Sequence, residues 1–129
     1  MAAKPRNGGQ WTEARFRSFV VSALRAASRR WPVKYDVMKK ACVGRKVNEA
    51  SGKLALHYAC ASCAEHFPAT NIAVDHIEPV VDPKKGFQGF DVFIERLFCE
   101  SEGLQCLCKE CHSVKTQSER KERKHATRD

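Results

Sequence analysis

The chain has 129 residues, which is room for one domain and a short extension. Its 23 Lys and Arg exceed its 15 Asp and Glu, giving a net charge of +8, and 43% hydrophobic content excludes a wholly disordered chain. No apolar run reaches the length of a transmembrane helix and Met1 to Gly9 lack the apolar stretch of a signal peptide, so a cytoplasmic protein with no membrane partner is expected.

Thr12 is placed to cap a helix over about 13–30, with Phe16, Phe19, Val20, Ala23, Leu24 and Ala27 on one face and arginines on the others. Pro32 permits a second short helix over about 33–41. A strand near 45–47, the polar turn Asn48 to Lys53 and a strand over 54–59 follow. Residues 72–77 form another β-prone run stopped by Pro79, and 83–89 read as loop. A helix is expected over 91–100, with Phe90, Phe93, Ile94, Leu97 and Phe98 on its core side. A strand over 104–107 then leads to a final helix beginning near Cys111 and running into a Lys/Arg-rich tail.

Charge divides the chain. Residues 1–53 hold 13 Lys/Arg against 3 Asp/Glu, and residues 54–129 hold 10 against 12. This predicts a basic N-terminal helical extension over 1–53 and a functional core with a basic tail over 54–129. Such a basic segment suits a polyanion, and nucleic acid leads among the possible partners.

Seven cysteines, an odd number without an export signal, argue against a disulfide framework. Cys60-Ala-Ser-Cys63 and Cys108-Lys-Glu-Cys111 each present two thiolates to one ion, and together they make a closed tetrahedral structural Zn2+ site. Cys42, Cys99 and Cys106 read as small buried apolar residues, with Cys106 as a minor alternative ligand. His57, His66 and His125 read as structural.

Between the two pairs lies Val74-Asp75-His76-Ile77-Glu78-Pro79, and the second pair runs into His112, Lys115 and Thr116. On a helix these three share a face, so a strand carrying Asp75 and His76 packed against it would gather a carboxylate and two imidazoles. With Leu104-Gln-x-Leu-Cys-x-x-Cys-His112 and Lys115-Thr116, this pattern resembles the four-cysteine branch of the HNH endonuclease family over residues 60–116, and the whole chain resembles small phage-encoded HNH proteins.

The resemblance implies a small α+β fold with a ββα-metal (His-Me finger) core stapled by the four-cysteine zinc. It implies His76 as general base, and Asp75 and His112 as ligands of a catalytic divalent ion. An imidazole with a pKa near 6.5 suits proton abstraction from water at neutral pH. The carboxylate favours Mg2+ or Mn2+, and His112 also admits Ni2+, Co2+ or Zn2+. The expected substrate is double-stranded DNA, gripped through its phosphates by Arg25 and Arg29 and by Lys115, Arg120 and Lys121, with binding that weakens as salt rises.

The activity so implied is metal-dependent phosphodiester hydrolysis by a monomer or weak dimer, with one active site favouring nicking. Genome processing beside a terminase or other packaging proteins, homing and host-DNA degradation all fit, in the cytoplasm of a host cell. The alternative is a non-catalytic zinc-stabilised DNA-binding or packaging-accessory protein; an RNA-binding reading rests on charge alone. One position departs from the family. The middle Asn, nine residues before the last histidine, is Gly103 here. Another group must then orient His76, and Gln105, Ser101 and Glu102 are within reach. Glu78 reads as a strand-end surface residue, and Thr116, where some family members carry a further histidine, as acting only weakly, through water or a helix-internal bond.

Overall fold

The computed structural model describes residues 3–128, with side chains as far as Lys124, so His125 and the tail Arg128 lie outside the described side chains. The chain is a small α+β protein with four α-helices and two small antiparallel sheets among the described residues. It divides into two compact units, residues 1–31 and 32–129. No described helix is long and apolar enough to cross a membrane.

The N-terminal unit is a turn followed by α1, Glu13–Ser28. The Thr12 hydroxyl accepts the Arg15 N–H at 3.2 Å, the N-cap its sequence position predicts. Arg6 pairs with Glu13 at 3.1 Å and lies 4.1 Å from the Phe16 ring centre, while Trp11 packs on Phe19 at 5.3 Å. The sequestered stripe is narrower than predicted. Phe16, Val20, Leu24 and Ala27 are half-buried and Ser28 is buried, whereas Phe19 is 61% exposed and Ala23 is exposed. The helix also stops two residues early. Arg30 and Trp31 donate to carbonyls three residues back, and Pro32 disfavours helical geometry at the residue before it.

In the second unit, α2 (Pro32–Ala41) opens on its proline and leads without a loop into β1 (Cys42–Val47). β1 pairs antiparallel with β2 (Leu54–Ala59), and β2 with β3 (His66–Pro68). The boundary expected after Lys53 falls inside the β1–β2 hairpin. Cross-strand pairs such as Val47 with Leu54 and Arg45 with Leu56 bind both sides of it together, so α2 and β1 belong with the core.

The second sheet pairs β4 (Ile72–His76) with β5 (Leu104–Cys108). Its register sets Asp75 across from Gln105 and His76 across from Leu104. Between these strands runs α3, Phe90–Leu97, entered through Gly89 at φ 110°, a conformation that favours glycine. It ends three residues before the predicted Glu100, because Phe98 leaves helical geometry at ψ 53°. Phe93 and Leu97 are its core residues at 2% exposure each, and Ile94, expected beside them, is 40% exposed. β5 is sequestered on both faces, with Leu104, Cys106, Leu107 and Cys108 all buried. α4, Lys109–Arg128, follows β5 directly, two residues ahead of its predicted start. The register sets Ile72 across from Cys108, and α4 runs back along the sheet from there, which brings His112 and Lys115 to the end of β4.

Candidate functional site

Two constellations are assembled on this frame. In the first, Cys60 and Cys63 sit in the turn between β2 and β3, Cys108 ends β5, and Cys111 lies in the first turn of α4. The turn is tight. Cys60 and Glu65 are bonded at 2.9 Å through N–H and carbonyl, and Ala64 takes a left-handed φ of 65°. The Ala61 N–H donates to the Cys106 carbonyl at 2.8 Å, tying this turn to β5. The four sulfurs lie within 4.8 Å of one another.

Tetrahedral Zn2+ with bonds of about 2.3 Å sets its sulfurs roughly 3.8 Å apart, so the set fits that ion. Backbone N–H groups already point at the sulfurs, from Cys108 to Cys60 Sγ at 3.3 Å and from Cys111 to Cys108 Sγ at 3.5 Å. Burial would raise the Cys60 thiol, but the N–H groups of Cys63, Cys108 and Ser62 outweigh it and bring the pKa down to about 6. The Cys111 thiol is pushed up to about 12, chiefly by its bond to Cys108. Four thiols this close hold protons between them until a cation replaces those protons. Among the described residues this is the one group of three or more metal-ligating side chains, and Cys42, Cys99 and Cys106 are not in it. Cys106 instead packs its sulfur 3.6 Å from Met38 Sδ, buried as its strand position predicts.

The second constellation lies where β4 meets α4. Asp75 Oδ1 is 3.5 Å from His112 Nε2, while Oδ2 accepts from Lys115 Nζ at 2.6 Å and from Gln105 Nε2 at 3.4 Å. His112, Lys115, Thr116 and Glu119 form the half-buried face of α4 that makes this possible. Two ligands on one ion at bonds of about 2.1 Å stand roughly 3.0–3.4 Å apart, so Asp75 and His112 suit a shared cation with its remaining positions open.

His76, next along β4, is half-buried, and its Nε2–H donates to the Leu97 carbonyl at the end of α3 at 2.8 Å. That bond fixes the tautomer and leaves Nδ1 as the lone-pair nitrogen. Burial lowers the His76 pKa, against the raising influence of the Leu97 carbonyl. The imidazole is therefore neutral at neutral pH. A cleft of about 170 Å³ lined by His76, Glu78, Arg96, Cys99, Glu102 and Gly103 opens beside it.

Several site residues fall differently from expectation. The group that orients His76 is the Leu97 carbonyl, not Gln105, Ser101 or Glu102, and Gln105 serves Asp75 instead. A main-chain acceptor has no sequence signature. Lys115, expected to reach DNA phosphates, turns inward to Asp75. Thr116 donates to the His112 carbonyl at 3.0 Å, the helix-internal bond of its two expected modes. Arg120 and Lys121 are exposed on α4, and Arg25 and Arg29 on α1 of the other unit.

Gly103 also gains a physical account. A Cβ there would sit 2.8 Å from Cys99 Sγ, so an asparagine at this position cannot be accommodated unless Cys99 moves. The Gly103 carbonyl still braces the segment after His76, accepting the Ile77 N–H at 2.9 Å. Gly103→Ala is expected to destabilise the protein by about 1–3 kcal/mol through overpacking, with most of the loss recovered in the Gly103→Ala/Cys99→Ala double variant. Thermal denaturation of the four proteins in the cycle checks this.

No protein-family model matches the chain, and no curated protein or solved structure shows significant similarity to it.

Proposed function

We propose that this chain is a metal-dependent DNA endonuclease that nicks duplex DNA, with a ββα-metal core stapled by the four-cysteine zinc. The observation that carries the reading is the pairing of Asp75 with His112 beside a half-buried His76 whose Nε2–H is held by the Leu97 carbonyl. A binding module has no need of a half-buried imidazole held by its Nε2–H with the other nitrogen left basic.

His76 Nδ1 accepts a proton from the attacking water while the Leu97 carbonyl keeps the ring oriented. Asp75 Oδ1 and His112 Nε2, 3.5 Å apart, would hold the cation. A divalent ion so bound supplies positive charge to the phosphate and to the departing 3′ oxygen. Arg120 and Lys121 on α4 and the basic N-terminal unit, with 7 Lys/Arg against 1 acid, supply backbone grip.

The test is incubation of the zinc-loaded protein with supercoiled plasmid in Mg2+, in Mn2+ and without added divalent metal. Open circles are expected only with Mg2+ or Mn2+, and are expected to vanish in Asp75→Ala and His112→Ala variants that keep their zinc. A wild-type protein that leaves the plasmid supercoiled in every metal would sink the nuclease reading and favour the non-catalytic DNA-binding alternative.

A further inference from the structure

We infer that Lys115 is a positioning residue, a cationic clamp on Asp75 that confines its carboxylate to one-oxygen ligation and holds down the site's affinity for divalent ions. This inference rests on the reading of Asp75 and His112 as cation ligands, and it goes beyond that reading in assigning how the site is tuned.

The ammonium has three N–H donors and no acceptor. Three acceptors surround it here: Asp75 Oδ2 at 2.6 Å, the His76 carbonyl, and Glu119 Oε1 at 3.4 Å one turn further along α4. The side chain is only 23% exposed. A lysine so committed is a poor hand for solvent-side phosphates. It is instead well placed to fix the end of β4 to α4, since it touches both Asp75 and the His76 main chain.

The clamp divides the carboxylate. Oδ2 takes both Lys115 and Gln105, and Oδ1 faces His112. A cation arriving at Oδ1 finds the second oxygen already engaged, which works against bidentate coordination. Ca2+ commonly takes carboxylates in that mode, whereas Mg2+ demands compact octahedral geometry with single oxygens, so the clamp favours Mg2+ or Mn2+ over Ca2+. It also sets a positive charge beside the incoming ion, and like charges a few ångströms apart in a half-buried site oppose binding. Glu119 offers the ammonium a second carboxylate when the ion takes its share of Asp75.

The clamp predicts effects of opposite sign on binding and turnover. Lys115→Met should bind Mn2+ roughly three- to tenfold more tightly than wild type, because a repelling charge is gone. Its affinity for Ca2+ should rise by more than its affinity for Mn2+. Plasmid nicking at saturating Mn2+ should fall, because Asp75 and the His76 main chain lose their shared tether. Lys115→Arg, which keeps the charge, should bind Mn2+ within about twofold of wild type.

The measurement is Mn2+ titration of the full zinc-loaded chain followed by electron paramagnetic resonance, with Ca2+ competition. Zinc content and far-UV circular dichroism are recorded for each variant. A lysine with a merely structural role would weaken Mn2+ binding when removed, and unchanged or weaker Mn2+ affinity in folded Lys115→Met overturns the clamp. Should that variant fail to fold, Lys115→Gln, neutral but still able to donate to the His76 carbonyl, must show the same tightening or the clamp is rejected. Absence of Mn2+ binding by the wild type removes both the metal reading and the clamp. Mn2+ binding by the wild type that neither neutral variant tightens removes the clamp alone.

Discussion

Plasmid nicking by His76→Ala is expected to fall by about 10²–10⁴-fold at neutral pH, the usual contribution of a positioned general base. Zinc content and Mn2+ affinity should stay near wild type, because His76 is a ligand in neither constellation. The loss is expected mainly in turnover rather than in DNA affinity, since the role proposed for the residue is on the water and not on the grip.

The pH profile gives a second readout. Burial holds the His76 pKa below its ordinary value, so the acid limb of the nicking rate should lie below about pH 6.5 and should disappear in His76→Ala. Linkage requires a matching stability effect. The folded state favours neutral imidazole more than the unfolded state does, so this contribution is full above about pH 6.5 and declines as pH falls towards the folded pKa. A His76→Ala protein should therefore lose less stability than wild type between pH 7 and pH 5. Retention of wild-type nicking by purified His76→Ala would refute its role as base.

What the sequence disclosed was whatever its local spacing dictates. Two CxxC pairs gather into one cluster because each pair is a single turn and the two turns share β5. The strand over 54–59 is legible to the residue, because the polar turn Asn48 to Lys53 ends just before it and the first CxxC pair begins just after it. β3 was not visible: three residues ending in proline carry no period, and only pairing with β2 makes them a strand. The end of α3 is not legible in the sequence, because the apolar pattern continues through Phe98 while the helical backbone does not.

In the second constellation the residue types were legible and their contacts were not. Asp75, His76 and His112 stand out by motif, but the partner of His76 is a carbonyl 21 residues away. Lys115 looks from sequence like any helix lysine, and its inward turn depends on Asp75 being within 2.6 Å. Gly103 reads as a missing asparagine until Cys99 is seen to fill the space. Each of these was hidden for the same reason, which is that tertiary packing rather than local preference decides where a side chain goes.

Removal of the zinc proposed for the four-cysteine cluster is expected to unfold the second unit altogether. The four cysteines connect the β2–β3 turn to the end of β5 and the start of α4, and β5 is also the strand that sets Asp75 in register. Folding free energy coupled to a structural zinc at pH 7 is about 10–16 kcal/mol, as large as the whole stability of an ordinary domain of about 5–15 kcal/mol. The apolar core around Phe93, Leu97, Leu104 and Leu107 is small, so it is not expected to hold the fold alone. Treatment with a strong zinc chelator should therefore abolish the cooperative thermal transition of residues 32–129, and added Zn2+ should restore it. Cys108→Ser should do the same irreversibly, because it removes a buried ligand at the junction of β5 and α4. Cys42→Ser, a change outside the cluster at a half-buried position, should keep full zinc content and shift stability by only about 1 kcal/mol. If chelated protein kept its cooperative transition, the cysteine cluster would be an accessory to the fold rather than its staple. Loss of the fold on chelation would also carry away Asp75, His76 and His112 as a set, so the proposed nicking should depend on zinc even with that ion outside the proposed chemistry.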